Sequence, residues 1–240
     1  GLKASSDSTS FSVNPLTGVV TINVSPDFET KDSYTFTVIA DDGVTDVVEQ
    51  EVTISVVNVN EAPVSISPTT LEINENATGA TAGTFSTSDV DNNDTHTYSL
   101  ISGFGSTDND LFEFEGNELQ LKVSGDYETQ SSYAVRVRST DQNGLLIESP
   151  FTVAVKDINE APTSISLSNS SFLENNQEGA SIGSFTSSDP DISAQSFVYD
   201  LVAGDGDTDN ATFEIKDDQL IIKDVADYET KDSYSVRISS

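Results

Sequence analysis

Oxygen-bearing side chains recur along the chain in short motifs whose spacing could hold a hard cation. Three copies of Asp-aromatic-Glu-Thr begin at Asp27, Asp126 and Asp227, and two copies of Asn-Glu-Ala-Pro begin at Asn60 and Asn159. Carboxylates that cluster repel one another unless a cation lies among them. A donor set without thiolate or imidazole suits Ca²⁺, which takes about 6–8 oxygen ligands at about 2.3–2.6 Å, whereas Mg²⁺ demands stricter octahedral geometry.

These motifs share a single period of about 100 residues. Glu75-Asn76 recurs as Glu174-Asn175, and Asp89-Val90-Asp91 recurs as Asp189-Pro190-Asp191. Because several independent motifs repeat together, the sequence predicts tandem domains, with the Asn-Glu-Ala-Pro stretches as short connectors between them.

Apolar and polar residues alternate in short runs between the two connectors. Tyr133–Arg138 and Phe151–Val155 are examples. Alternation with period two buries one face of a strand and leaves the other in water. About seven such strands, with no segment of helical period, predict an all-β fold of Greek-key β-sandwiches. Asp126 and Glu128 lie two residues apart just before one run, so we expect their side chains to point the same way.

The period divides the chain into five segments. We predict a partial repeat, the C-terminal half, over 1–57, a linker over 58–62, a complete repeat over 63–156, a second linker over 157–161, and a repeat lacking its last strand over 162–240. We call the two linkers, with the motifs that flank them, the first joint and the second joint. We expect the chain to be a window from a longer array, or its incomplete end repeats to be completed by another chain.

Composition excludes several classes of protein. Ten Lys and Arg residues face 41 Asp and Glu residues, for a formal net charge of −31. Such a surface repels nucleic acid and anionic lipid. No apolar run approaches the roughly 18 residues of a membrane span, so direct membrane insertion is not expected. The chain has no Cys, which removes disulfides, thiolate metal sites and thiol catalysis.

One catalytic motif is present by pattern only. Gly179–Gly183 matches Gly-x-Ser-x-Gly, which serves hydrolases at a strand-to-helix turn with a His partner. The equivalent stretch one repeat earlier, Gly79–Gly83, has Thr in place of Ser and indicates the start of a strand. His96 is the single histidine and belongs to the other repeat. We therefore expect no enzyme.

Two acidic loops resemble the start of an EF-hand, at Asp89–Asn93 and Asp205–Asp209. Leu100 and Lys216 stand where an EF-hand needs its bidentate Glu, so neither loop fits the motif. The second loop has two possible interpretations, a polar turn or an additional surface Ca²⁺ site, and the polar turn is favoured.

The middle repeat carries five acidic elements in a fixed order. They are Glu75-Asn76, Asp89-Val90-Asp91, Asp126-Tyr127-Glu128, Asp141 with Gly144, and the linker from Asp157 to Pro162. In this order, and over essentially the whole chain, the sequence resembles the tandem cadherin-like repeats of bacterial surface adhesins. The resemblance implies seven-stranded cadherin/Ig-like sandwiches joined by short linkers that bind Ca²⁺.

The resemblance also implies ligands at each joint. At the first joint they are Asp27, Glu29, Asn60, Glu61, Asp89, Asp91 and Asp141. At the second joint they are Glu75, Asp126, Glu128, Asp157, Asn159, Glu160, Asp189 and Asp191. The first joint lacks an early Glu and has Asn58 where the family has Asp, so fewer or weaker ions are expected there.

These observations predict a Ca²⁺-rigidified extender segment of a large adhesin, located outside the cell at its surface. Its partners would be neighbouring repeats of the same chain. The alternative is that the repeats themselves bind a polysaccharide or an identical repeat in homophilic adhesion. Phe104 and Phe197, in expected loops, are the candidates for a carbohydrate contact.

Overall fold

The computed structural model describes residues 1–44, 46–191 and 195–240. The regular secondary structure of the described chain is made of β-strands and three single-turn 3-10 helices. Within these residues, no helix has the length and apolar character needed to cross a membrane. Two compact units are made of 1–71, 81–122 and 134–153, and of 72–80, 123–133 and 154–240. The domain boundaries expected from the sequence period stay predictions.

The first fifty-five residues form one small sheet and one hairpin. The strands are β1 (Leu2–Lys3), β2 (Phe11–Val13), β3 (Val20–Ile22), β4 (Ser33–Ala40) and β5 (Val48–Ser55). One sheet has the order β1-β4-β5, and β2 pairs with β3. Phe11, Tyr34 and Phe36 form the buried core here, because alternate residues of β4 face inward. Gly18, at φ +70°, and the Asn14 side chain shape the β2–β3 turn.

The next eight strands form two four-stranded sheets. They are β6 (Ser65–Pro68), β7 (Glu72–Asn74), β8 (Thr81–Ser88), β9 (His96–Leu100), β10 (Phe112–Glu115), β11 (Glu118–Leu121), β12 (Ser132–Asp141) and β13 (Leu146–Lys156). Their sheets have the orders β10-β11-β8-β6 and β7-β13-β12-β9. Every second residue of β12 is buried, from Tyr133 through Val135, Val137 and Ser139 to Asp141. The alternation that builds the core thus carries one carboxylate to the inner face at the end of the strand.

The last six strands repeat much of this plan. They are β14 (Ser164–Leu167), β15 (Ala180–Ser188), β16 (Asp200–Leu201), β17 (Phe213–Lys216), β18 (Gln219–Ile222) and β19 (Ile238–Ser239). The sheet order β14-β15-β18-β17 corresponds to that of β6, β8, β11 and β10. Phe185, Phe213 and Ile222 lie in its core. Ser181 lies within β15 rather than at a strand-to-helix turn, so the hydrolase motif has no elbow.

Two segments of this last region differ from their counterparts one repeat earlier. Residues 171–174 correspond to β7, and residues 233–237 to the start of β12, yet neither segment is in a strand. In the described chain no strand lies between them, as β13 does between β7 and β12. A cavity of about 450 Å³ is lined in part by Phe172, Tyr234 and Val236 of these two segments.

Candidate metal centres

The Asp-aromatic-Glu-Thr motif forms a turn that is held by its own hydrogen bonds. Gln130 N donates to Asp126 O at 2.9 Å, and Thr129 N donates to Asp126 Oδ1 at 2.8 Å. This local hydrogen bonding holds the Asp126 side chain within its own turn. Asp27 makes the same contacts in the first copy. The motif is thus a turn rather than extended backbone, and the same side-chain direction for Asp126 and Glu128 stays a prediction. In the third copy of the motif, one carboxylate oxygen of Asp227 lies within 4.8 Å of one of Glu229.

One group of acids at the first joint is the Glu61 cluster, made of Glu29, Glu61 and Asp91. One carboxylate oxygen from each lies within 4.8 Å of the others. The linker closes over Asp91, since Asn58 Nδ2 donates to Asp91 Oδ1 at 2.9 Å and Glu61 N donates to Asp91 Oδ2 at 2.8 Å. Burial raises the pKa of Glu61, and the charges of Glu29, Asp91 and Asp27 raise it further.

The second group at the first joint is the Asp141 cluster, made of Asp89, Asp94 and Asp141. Asp141 is only 4% exposed, and its Oδ1 accepts the backbone N–H groups of Asn143, Gly144 and Leu145. These hydrogen bonds rest on the Asn-Gly turn between β12 and β13. Asp94 is a member that the sequence motifs did not predict.

At the second joint, Glu75, Glu128 and Glu160 form the Glu160 cluster. Glu75 is 3% exposed and accepts the backbone N–H groups of Tyr127 at 2.8 Å and of Ile158 at 2.6 Å. Glu128 Oε1 and Glu160 Oε2 are buried and have no hydrogen-bond partner among the described residues. An unsatisfied buried carboxylate oxygen costs free energy, so the arrangement is suited to a bound cation.

The second joint also contains the Asp157 cluster, made of Glu128, Asp157 and Asp191. Glu128 therefore contributes to both clusters of this joint. Glu160 N donates to Asp191 Oδ2 at 3.0 Å, which repeats the contact of Glu61 with Asp91. Burial raises the pKa of Asp157, and Asp191, Glu75 and Glu160 raise it further.

The structure brings ten of the fifteen predicted ligands into these four clusters. The ten are Glu29, Glu61, Glu75, Asp89, Asp91, Glu128, Asp141, Asp157, Glu160 and Asp191. The remaining five lie alongside, and they are Asp27, Asn60, Asp126, Asn159 and Asp189. That any of them binds an ion stays a prediction.

At the joints, Asn60, Asn159 and Asp189 also make hydrogen bonds to linker or cluster residues. Asn60 Nδ2 donates to Asp141 Oδ2 at 2.8 Å, whereas Asn159 Nδ2 donates to Glu160 O at 2.9 Å. Asp189 Oδ1 accepts the N–H of Asp191 at 3.1 Å. Each amide side chain thus holds its linker, and Asn60 Oδ1 in turn accepts a hydrogen bond from Nδ2 of Asn143.

The chemistry of the four clusters fits a hard divalent cation. Their donors are carboxylate and amide oxygens. Among the described residues, the lysine and arginine ion pairs are all made with acids outside the clusters. Only His96 pairs with a cluster residue, with Nε2 3.0 Å from Asp89 Oδ2. Side-chain cations therefore leave most of the negative charge at both joints without compensation.

The loop Asp205–Asp209 is organised as a polar turn. Asp207 Oδ2 accepts the N–H of Gly204 at 2.9 Å. Asp209 pairs with Lys231 Nζ at 2.5 Å and accepts the N–H of Ser235 at 2.7 Å. The carboxylates of Asp207 and Asp209 are thus used within the fold, which supports the turn over an additional Ca²⁺ site.

Comparison with known proteins identifies the fold. No protein-family model matches the chain. Protocadherin gamma-A10 from Pan troglodytes is 30% identical over 206 residues, which is 80% of this chain and 21% of that protein. The chain therefore spans about a fifth of the length of this curated relative.

Two solved structures of protocadherin extracellular domains have a similar fold. The extracellular cadherin domains 3–6 of protocadherin gamma B2 superpose with a TM-score of 0.64 at 21% identity, over 99% of this chain and 60% of that one. The fold is that of tandem cadherin-like repeats. The cis-dimer structure of protocadherin gammaB7 EC3-6 gives a TM-score of 0.59 at 22% identity, over 96% of this chain and 57% of that one. The predicted fold class of tandem β-sandwiches is confirmed.

In chelator, these cadherin-like repeats are expected to be more stable near pH 5 than near pH 7. Burial first, and then neighbouring carboxylates, raise the pKa of Glu61, Glu128 and Asp157 above the unfolded value. The folded chain therefore takes up protons before the unfolded chain does, and the repulsion is relieved as pH falls toward about 5. Thermal unfolding in EDTA across this pH range measures the effect.

Below the ordinary pKa range of carboxyl groups, the stability of the folded chain falls, rather than rises, as the pH is lowered. Hydrogen bonds from Lys31 Nζ and from the backbone N–H of Thr35 lower the pKa of Asp7. Those from Lys231 Nζ and the backbone N–H of Ser235 lower the pKa of Asp209 in the same way. Their stabilising contribution is present above the unfolded pKa and is lost as pH falls through the lower folded value. A melting temperature that only declines between about pH 7 and pH 5 in EDTA would contradict the repulsion described for the joints.

Proposed function

We propose that this chain is a Ca²⁺-rigidified extender segment of an extracellular adhesion protein, with ions held at both joints. The cadherin-repeat relatives indicate extracellular, adhesion-type repeats. The observation that carries the proposal is the set of buried carboxylate oxygens without partners at the joints, namely Asp94 Oδ2, Glu128 Oε1 and Glu160 Oε2. Oxygen-only donors without neighbouring lysine or arginine suit Ca²⁺.

Each joint gathers acids from both sides of its linker. At the first joint, Glu29 comes from the turn before β4, Glu61 from the linker, and Asp89, Asp91 and Asp141 from the strands and loops after it. A cation bound there supplies positive charge that several segments share. The chain's own hydrogen bonds, from Asn58 and the Glu61 backbone to Asp91, already hold the linker in place.

The second joint follows the same plan. Glu75 accepts backbone N–H groups from the turn at Tyr127 and from the linker at Ile158, so one carboxylate joins three segments. The free Oε1 of Glu128 and Oε2 of Glu160 would complete the ligand set. Without a cation the repulsion among these acids favours separation of the segments, and with one they are held together. Function as a stiff spacer follows from that difference.

Millimolar Ca²⁺ is expected to raise the melting temperature and to lengthen the particle in small-angle X-ray scattering, relative to EDTA. Extracellular calcium modules bind at about 10⁻⁴–10⁻³ M. A site with a dissociation constant of about 10⁻⁴ M contributes about 1.4 kcal/mol at about 1 mM free Ca²⁺. Mg²⁺ at the same concentration, as the control, should have a smaller effect. Identical melting and scattering in Ca²⁺ and EDTA would reject the proposal.

Homophilic association is the second candidate function. One structural neighbour, protocadherin gammaB7 EC3-6, was solved as a cis-dimer. Sedimentation of the chain in Ca²⁺ and in EDTA separates the two functions, because a spacer stays monomeric in both and a homophilic repeat associates in Ca²⁺. A bacterial cell surface as the source, and a polysaccharide as the ligand, stay predictions from the sequence.

A further inference from the structure

We propose that Asp94 is a calcium ligand of the first joint that lies outside the repeated motifs and replaces the linker charge missing at Asn58. The inference rests on the proposed function and makes it specific, because it assigns different ligand sets to the two joints.

The loop between β8 and β9 places Asp94 beside the end of β12. Asp94 N lies 3.4 Å from Asp91 O across a tight turn in which Asn93 has φ +77°. Asn adopts this left-handed conformation more readily than most residues. As a result, one carboxylate oxygen of Asp94 lies within 4.8 Å of one oxygen each from Asp89 and Asp141.

One oxygen of Asp94 has no hydrogen-bond partner. Oδ1 accepts Nε2 of Gln142 at 2.7 Å, whereas Oδ2 is buried and makes no hydrogen bond to any described residue. A buried carboxylate oxygen without a partner is unfavourable unless a cation satisfies it. Gln142 fixes the Asp94 side chain in place, so the free oxygen is held rather than turned to solvent.

The two neighbouring acids already have partners. Asp141 accepts the three backbone N–H groups of the Asn143–Leu145 turn, and its Oδ2 accepts Nδ2 of Asn60 at 2.8 Å. Asp89 accepts the N–H of Asp91 and lies 3.0 Å from Nε2 of His96. Even a charged imidazole would offset one of three carboxylates. The uncompensated charge and the free oxygen therefore coincide at Asp94.

The second joint distributes its charge differently. Asp157 of the second linker belongs to a cluster with Glu128 and Asp191. The corresponding Asn58 instead donates its amide to Asp91 and adds no charge. One hundred residues after Asp94 the sequence has Ala194, which offers no side-chain ligand and lies outside the described residues. The first joint thus lacks the linker carboxylate that Asp157 gives the second joint. It has instead the carboxylate of Asp94, in the Asp141 cluster.

The test compares three proteins, each the full chain, namely wild type, Asp94→Asn and Asp110→Asn. Asp110 is an exposed acid in a 3-10 helix, so its variant matches the charge change. Calcium titration is followed by calorimetry and by the NMR signals of the Asn60 and Asn143 side-chain amides. For Asp94→Asn we expect calcium binding at the first joint to weaken about tenfold, because affinity follows ligand charge. In EDTA, the same variant should melt at a higher temperature than wild type.

The outcomes separate this inference from the proposed function. Wild type that binds no calcium would reject both. If wild type and Asp94→Asn bind calcium equally well, the role of Asp94 is overturned, whereas the proposed binding of calcium at the joints is not. If Asp94→Asn melts below wild type by the same amount in Ca²⁺ and in EDTA, Asp94 has a purely structural role. This result would also overturn its role as a calcium ligand. Asp94→Glu keeps the charge and is expected to retain calcium binding at the first joint. If Asp94→Asn does not fold, the calcium affinity of Asp94→Glu is the test of whether the carboxylate at this position is a ligand.

Discussion

Replacement of Glu128 by glutamine is expected to weaken calcium binding at the second joint about tenfold or more at each of two positions. The reason is that Glu128 belongs to both clusters there, with Glu75 and Glu160 on one side and with Asp157 and Asp191 on the other. Its Oε1 is buried and has no partner among the described residues. Loss of a shared charged ligand reduces the affinity of both positions, because affinity follows ligand charge and number.

The matched control is Glu29→Gln at the first joint. Glu29 occupies the equivalent place in its motif, yet it belongs to one cluster only, since Asn58 stands where the second joint has Asp157. Calorimetric titration of both variants should show a larger loss of bound calcium for Glu128→Gln. Equal losses, or none, would contradict the sharing of Glu128.

The sign of the stability change in Glu128→Gln depends on calcium. In EDTA the variant should melt above wild type, because burial, and then the charges of Glu75, Glu160 and Asp157, raise the pKa of Glu128 in the folded chain. Its charged form therefore opposes folding at neutral pH. In millimolar Ca²⁺ the order should reverse. A variant that melts lower than wild type in both buffers would show that Glu128 acts through packing alone.

Replacement of Phe85 by alanine is expected to lower the free energy of unfolding by about 3–5 kcal/mol. Phe85 is 1% exposed, and its ring lies 5.9 Å from Tyr98, 5.3 Å from Phe114 and 5.2 Å from Phe151. These three contacts connect strands of both sheets, so the truncation leaves a cavity where they meet. Guanidinium unfolding in saturating Ca²⁺ measures the loss.

Phe104→Ala is the control for this measurement. Phe104 is 87% exposed in a loop, so its removal should change the free energy of unfolding by less than about 0.5 kcal/mol. A loss below about 1 kcal/mol for Phe85→Ala would contradict the core described here. The same pair of variants tests the carbohydrate alternative, since a polysaccharide site at Phe104 would be lost with that ring and retained in Phe85→Ala.

The sequence predicts the strands and most of the clustered acids because both follow repeating patterns. Alternation along β12 places Asp141 on the inner face together with Val135 and Val137, so its burial is implied by the same period that predicts the strand. The recurrence of Asn-Glu-Ala-Pro likewise predicts that Glu61 and Glu160 occupy equivalent positions. In the structure their backbone N–H groups make equivalent contacts, to Asp91 and Asp191.

Two features could not be predicted in this way. Asp94 occurs once, with no counterpart in the other repeat, and only the turn at Asn93 brings it to the cluster. The orientation of Asp126 depends on a hydrogen bond to Thr129 N, a local contact that competes with extended backbone. Both depend on loop conformation, which hydrophobic periodicity does not encode.

Calorimetric titration of the chelator-treated chain with Ca²⁺, with the number of bound ions determined, tests the central claim most directly. The account predicts binding at both joints with dissociation constants of about 10⁻⁴–10⁻³ M. Asp94→Asn should reduce the heat of calcium binding at the first joint, and Glu128→Gln should reduce the heat of calcium binding at the second joint. Absence of binding at millimolar Ca²⁺, or binding that persists unchanged in a variant carrying both substitutions, would contradict it.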